Sequence, residues 1–178
     1  MKRNLLVLLV SLFLFLSCAS TAAVLSKTRE IFVPELDGPV YVSAIQYAGK
    51  SMKLSQSHYI NVRDESKRLA ILSIQVQNMV RGKVYNFAPI VLLDGDIKIT
   101  PDALKYFKGN SAFGFDWGIE SRNFLNNTLT MSGSGGKYTV NLIYAVGDDS
   151  SITRADIFGQ IVEFDPELVK LNVIDTFH

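Results

Sequence analysis

From Leu69 to Val76 the chain alternates in steps of two. Ala70, Leu72, Ile74 and Val76 fall on one side, and Ser73, Gln75 and Gln77 fall on the other. Only an extended strand with one buried face gives that period, so Leu69 to Asn78 is predicted to be a strand. The same signal recurs along the chain. Val40 to Tyr47 alternates with aromatic and β-branched residues and runs into the turn Ala48-Gly49-Lys50. Ser57 to Val62 is a short candidate strand, and the charge run Asp64 to Arg68 is read as a solvated loop. Val84 to Leu93 follows the turn Arg81-Gly82-Lys83, bent or late in starting because Pro89 cannot donate to a ladder. Asp94-Gly95-Asp96 then signals a hairpin into Ile97 to Thr100.

Beyond Thr100 the pattern changes. Thr100 can cap, Pro101 suits a first helical position, and Asp102 suits the positive end of a helix dipole. A short helix ending near Lys108-Gly109 is therefore expected. Thr128 to Ser132 and Lys137 to Val146 read as a hairpin around Gly133 to Gly136, and Ile157 to Phe164 as a last strand. Seven or so short strands with turn signals between them, and no amphipathic helices, predict an all-β antiparallel sandwich over residues 38–165 with one short helix. A hydrophobic share of 48% against 20% charged residues suffices for one buried core.

The amino terminus carries a different message. Lys2 and Arg3 precede an apolar run from Leu5 to Leu16, broken only by Ser11. A cationic head and about a dozen apolar residues make a secretory signal peptide, short of the roughly 20 needed to span a bilayer. Cys18, the only cysteine, follows the small residue Ser17. Phe15-Leu16-Ser17-Cys18 resembles the lipobox of bacterial lipoproteins, with Phe15 where Leu is favoured and Leu14 one place further back. The resemblance implies cleavage after residue 17, a diacylglyceryl group on the Cys18 thiol and an acylated new terminus. It implies a chain held by its lipid in the bacterial cell envelope. Small and polar residues, then Pro34, Asp37-Gly38 and Pro39, make residues 18–37 a lipidated terminus and tether, with room for an early strand around Glu30 to Val33. Two other readings stay open. Ordinary cleavage near Ala22 or Ala23 would leave Cys18 an incidental leader residue, and an uncleaved leader would be an anchor. Residues 166–178 are read as a tail.

Leu69 to Asn78, Phe87 through Asp94-Gly95, and the pair Lys137 to Val146 with Ile157 to Phe164 resemble, in that order, an immunoglobulin-like domain family of bacterial lipoproteins. This family is related to telokin-like extracellular domains of unknown function. The resemblance implies an immunoglobulin-like sandwich with an envelope binding or structural role and no catalytic residues. The aromatic stretch between Tyr106 and Phe124 departs from that pattern.

Signals for chemistry are sparse. The formal net charge is +1. Without Lys2 and Arg3 there are 16 basic against 17 acidic residues, which gives no electrostatic footprint for nucleic acid. His58 and His178 are the only histidines and form no metal-ligand spacing, and no catalytic residue, metal ligand or cofactor is assigned. Ser132-Gly133-Ser134-Gly135-Gly136 fails both the nucleophile-elbow and the phosphate-loop spacing. Asp94, Asp96, Asp148, Asp149 and Asp156 could converge on Ca²⁺ from loops, or serve ordinary turns. Phe113, Phe115 and Trp117 alternate and would share one side of an extended segment. They are either a core-facing strand or a surface platform for a protein or glycan partner, with Asp116, Glu120 and Arg122 at the rim. The functional expectation is a non-catalytic binding or structural domain. Its rivals are a carbohydrate-active or other hydrolytic enzyme on the same scaffold, and a subunit of an envelope complex that uses a strand edge.

Overall fold

The computed structural model describes residues 29–54, 59–108, 127–130, 137–165 and 173–174. Within them the chain is all-β, and its sheets are antiparallel except for one two-residue pairing. The larger sheet runs in the order β1 (Arg29–Val33), β2 (Gly38–Ala48), β5 (Lys67–Val76), β11 (Tyr138–Gly147) and β9 (Ala103–Lys108). A short strand, β14 (Val173–Ile174), adds to β2 in parallel at Tyr47 and Ala48. The second sheet has four strands in the order β13 (Gln160–Glu163), β12 (Arg154–Ile157), β7 (Ile90–Asp94) and β8 (Ile97–Ile99). Two small pairs complete the described part. They are β10 (Thr128–Thr130) with β6 (Val84–Asn86), and β3 (Ser51–Lys53) with β4 (Tyr59–Asn61).

One apolar cluster draws on both large sheets, so they pack as a sandwich-like pair of layers. Ala70, Leu72, Ile74 and Val76 of β5 enter it, as the alternation requires, and meet Ile90, Leu92, Ala155 and Ile157 from the second sheet. Each Leu, Ile or Val side chain among them contributes about 1.5–3 kcal/mol on burial. The far face of the larger sheet is not simply polar. Leu69 and Ile71 lie on it with Ile143 and Ala103, and the β3–β4 hairpin covers them with Met52 and Leu54. The remainder of that face is half-buried and polar. Ser43 donates to the Ser73 carbonyl, and Ser73 donates to Asn141 Oδ1, both at 2.8 Å.

Strand β2 shows how register corrects a simple alternation. Val40, Val42, Ile45 and Tyr47 all reach the core, although the step from 42 to 45 is odd. The β2–β5 register shifts between Val42 and Ile45, and that irregularity resets the phase.

The helix expected after Thr100 is strand β9, paired with β11 from Tyr138↔Lys108 to Ile143↔Ala103. The Asp102 carboxylate does not cap its own first turn. It accepts the Ala145 N–H at 2.8 Å, while the Asp102 N–H donates to the Ile143 carbonyl at 2.8 Å. Leu104 and Tyr106 then face the main core and Ala103 the second cluster, a period of two. The described residues hold no helix beyond a single 3-10 turn, Pro34–Leu36.

Other boundaries moved for similar reasons. Thr128–Thr130 pairs with β6, not with β11, because β5 and β9 occupy both edges of β11. Lys67 and Arg68 belong to β5, leaving only Asp64 to Ser66 as the turn. The last strand is two, β12 and β13, folded back at Phe158 and Gly159 with φ of 51° and 84°. Positive φ at both central residues is the primed hairpin geometry, and the Asp156 carboxylate fixes it by accepting the Gly159 N–H at 2.7 Å. The single strand expected over 84–93, bent or late in starting at Pro89, is instead two, β6 and β7, in different sheets. The segment read as tether contributes β1 and the 3-10 turn, with Val33 and Leu36 fully buried.

Candidate functional site

The two ends of the sandwich differ in chemistry. The end where Val40, Val76 and Tyr138 lie side by side holds a clasp built on Asp37. Asp37 closes the 3-10 turn in the left-handed region, φ 60°, and its N–H donates to the Pro34 carbonyl. Its carboxylate is thereby aimed at the turn before β6. Lys83 Nζ donates to Asp37 Oδ1 at 2.6 Å, and the Tyr85 hydroxyl donates to Oδ2 at 2.5 Å. That hydroxyl in turn accepts the Val80 N–H at 2.6 Å. The Lys83 and Tyr85 bonds hold the Asp37 carboxyl below the ordinary carboxylate range. Burial and the facing carboxylate push the Tyr85 phenol up. Each carboxylate oxygen accepts one of these hydrogen bonds, so the group ties the two turns together.

At the opposite end, where Ala48, Leu69 and Ala145 align, Arg68 is the hub. Its guanidinium stacks 3.9 Å over the Tyr47 ring and donates to the Ser150 carbonyl at 3.0 Å. The Ser150 hydroxyl donates to Asp94 at 2.6 Å. The Tyr47 hydroxyl accepts the Ile152 N–H at 2.8 Å, and burial raises its pKa. Arg68 Nε and Asn127 Oδ1 are buried without a hydrogen-bond partner.

Two of the acidic loops therefore meet through a serine. Asp94 binds Ser150, and Asp148 lies 4.0 Å from Lys50. Asp156 is engaged elsewhere, by Lys98 at 3.4 Å and by Gly159. Among the described residues no three His, Cys, Asp or Glu side chains are grouped to hold a metal ion.

Cys18, Phe113, Phe115 and Trp117 lie outside the described residues, as do His58, His178 and the segment Ser132 to Gly136. Of the aromatic stretch, Tyr106 is core, with its ring 6.4 Å from that of Tyr138. Sequence reading passed over Asp37, Tyr85, Tyr47 and Arg68. The usable signal was the tyrosines, because a phenol on a core-facing strand needs a partner for its hydroxyl. Compared with known proteins, the chain matches no family model, no curated protein and no solved structure.

Proposed function

We propose that this chain is a lipid-anchored bacterial cell-envelope protein. In this reading residues 1–17 export it, Cys18 is acylated, and an immunoglobulin-like β-sandwich acts by binding or assembly rather than by catalysis. The observation that carries the proposal is the position of its one thiol. Cys18 directly follows the cationic and apolar leader and stands eleven residues ahead of the first strand. A diacylglyceryl thioether there leaves no free thiol in an oxidising compartment, and multiple acyl chains anchor firmly at about 0.8 kcal/mol per buried methylene.

The immunoglobulin-like assignment is supported by two antiparallel sheets sharing one core. The non-catalytic reading is supported by how the polar groups at the two ends are used. Tyr47, Arg68, Asp37 and Tyr85 bind one another or the backbone, and the Asp37 and Asp64 carboxyls are both shifted down. A glycosidase acid would need a carboxyl shifted up.

Mass spectrometry of the mature amino terminus tests the anchor. An acylated Cys18 at the first position is expected, and an unmodified chain beginning after Ala22 or Ala23 overturns it. Crosslinked pull-down from intact cells then identifies the protein or glycan partner.

A further inference from the structure

The turn between β5 and β6 lends Lys83 and the Val80 N–H to the clasp, but its two valine side chains and Arg81 serve neither the core nor the clasp. The Lys83 N–H donates to the Val80 carbonyl at 3.2 Å, and Gly82 has φ 79°, as the third position of a type II turn demands. Val80 and Val84 flank this turn and are 50% and 58% exposed. Tyr85 points into the core, so its strand neighbour Val84 must point away. Arg81 and Lys83 stand exposed between the two valines. Lys137, also exposed, precedes Tyr138 at the same end of the sheet.

Charge separates this end from the other. The sequence holds no Asp or Glu between Glu65 and Asp94, so at this end Arg81, Lys83 and Lys137 face only Asp37, which pairs with Lys83, and Glu35 of the same 3-10 turn. The opposite end gathers Asp64, Glu65, Asp94, Asp96, Asp148 and Asp149 against Lys50, Arg63, Lys67, Arg68 and Arg154, six acidic groups to five basic ones. An anionic surface would therefore favour the first end over the second. Exposed aliphatic side chains beside cations suit a lipid interface, where the methyl groups enter the acyl boundary and the cations stay at the phosphates.

We propose that the Val80–Val84 turn docks on an anionic lipid bilayer and holds the domain end-on to the membrane. The inference rests on the lipid-anchor reading, which supplies the bilayer. The reach is sufficient. Eleven residues from Cys18 to Arg29 extend to roughly 36–40 Å. Arg29 pairs with Val42, four residues and about 13 Å along β2 from the basic end.

The full acylated protein reconstituted into vesicles tests this, because acylation leaves no other free thiol. A spin label at Val84→Cys is compared with one at Ile97→Cys, which lies toward the acidic end and is 66% exposed. Accessibility to dissolved oxygen and to a water-soluble nickel chelate is read in phosphatidylcholine vesicles and in vesicles containing 30% phosphatidylglycerol. The label at position 84 is expected to enter the lipid phase in the anionic vesicles while that at 97 stays aqueous. Arg81→Glu is expected to weaken the docking about fivefold or more. A label at 84 as aqueous as that at 97 overturns the proposal, and so does immersion that ignores phosphatidylglycerol and Arg81→Glu. If mass spectrometry finds no acyl group, the anchor reading fails instead. The same label comparison on the unacylated full chain carrying Cys18→Ser, with added vesicles, then decides the docking alone.

Discussion

Tyr85 and Asp37, 48 residues apart in the chain, share a hydrogen bond of 2.5 Å that joins the first turn of the domain to the turn before β6. The phenol also accepts the Val80 N–H, so one hydroxyl holds two loops in place. Tyr85→Phe is expected to cost about 1–3 kcal/mol, since it leaves the Val80 N–H and an Asp37 lone pair without their partner. Asp37→Ala is expected to cost more, because Lys83 loses its acceptor too. The double variant should fall short of the sum, as residues in one network do. Urea unfolding of the three variants measures this, and strict additivity would mean the bond does not couple the two loops.

The same clasp sets an acid limb of stability. Lys83 and Tyr85 hold the Asp37 pKa below its ordinary value of 3.8. The unfolded chain therefore binds the proton first as pH falls. The contribution of Asp37 is complete above the unfolded pKa and is lost as pH drops through the folded one. Wild type should lose stability more steeply below about pH 4 than Asp37→Asn does. Parallel denaturant titrations at pH 6 and pH 3 check the slope.

Arg68 and Tyr47 tie the 147–152 loop to the sheet. Tyr47→Phe strands the buried Ile152 N–H and should cost about 1–3 kcal/mol. Arg68→Lys keeps the charge but loses the flat stacking on Tyr47 and the fixed fork to Ser150, so about 1 kcal/mol is expected. Both variants should speed amide exchange at Ile152 before that of β11. Unchanged exchange there would show that the loop is held by something else.

Tyr144 bridges the two layers. Its fully buried hydroxyl donates to the Ile90 carbonyl at 3.0 Å, and burial pushes its pKa well above 10.0. A phenol kept neutral in the fold stabilises it below the unfolded pKa and ceases to do so as pH rises beyond it. Ultraviolet titration should therefore show one tyrosine that ionises only when the protein unfolds at high pH. In Tyr144→Phe that late step should vanish, with a loss of about 1–2 kcal/mol at neutral pH. A Tyr144→Phe protein that keeps the late step would assign it to another phenol.

The face of β5 that carries Ala70, Leu72, Ile74 and Val76 was legible because a strand repeats every two residues whatever it pairs with. Proline between β6 and β7, and the turn at Gly95, were legible because those residues restrict the backbone locally. Residues 103–108 were not. Thr100-Pro101-Asp102 satisfies the local rules for a helix start, and only the unpaired edge of β11 outweighs them. The hairpin expected between residues 128 and 146 failed for the same reason. Its second arm was already paired on both edges. Asp37 looked like a turn residue, and nothing nearby in the sequence announced that Lys83 and Tyr85 would close on it.

The sequence alone determined the strand-rich character of the chain, its main buried face and most of its turns, because these depend on side-chain period and on φ restrictions within a few residues. The tertiary structure decided which strands pair, where β2 shifts register, and which polar groups meet across 48 or 82 positions. Those outcomes follow from satisfying every buried donor and acceptor at once. That condition belongs to the assembled layers and not to any short segment of chain.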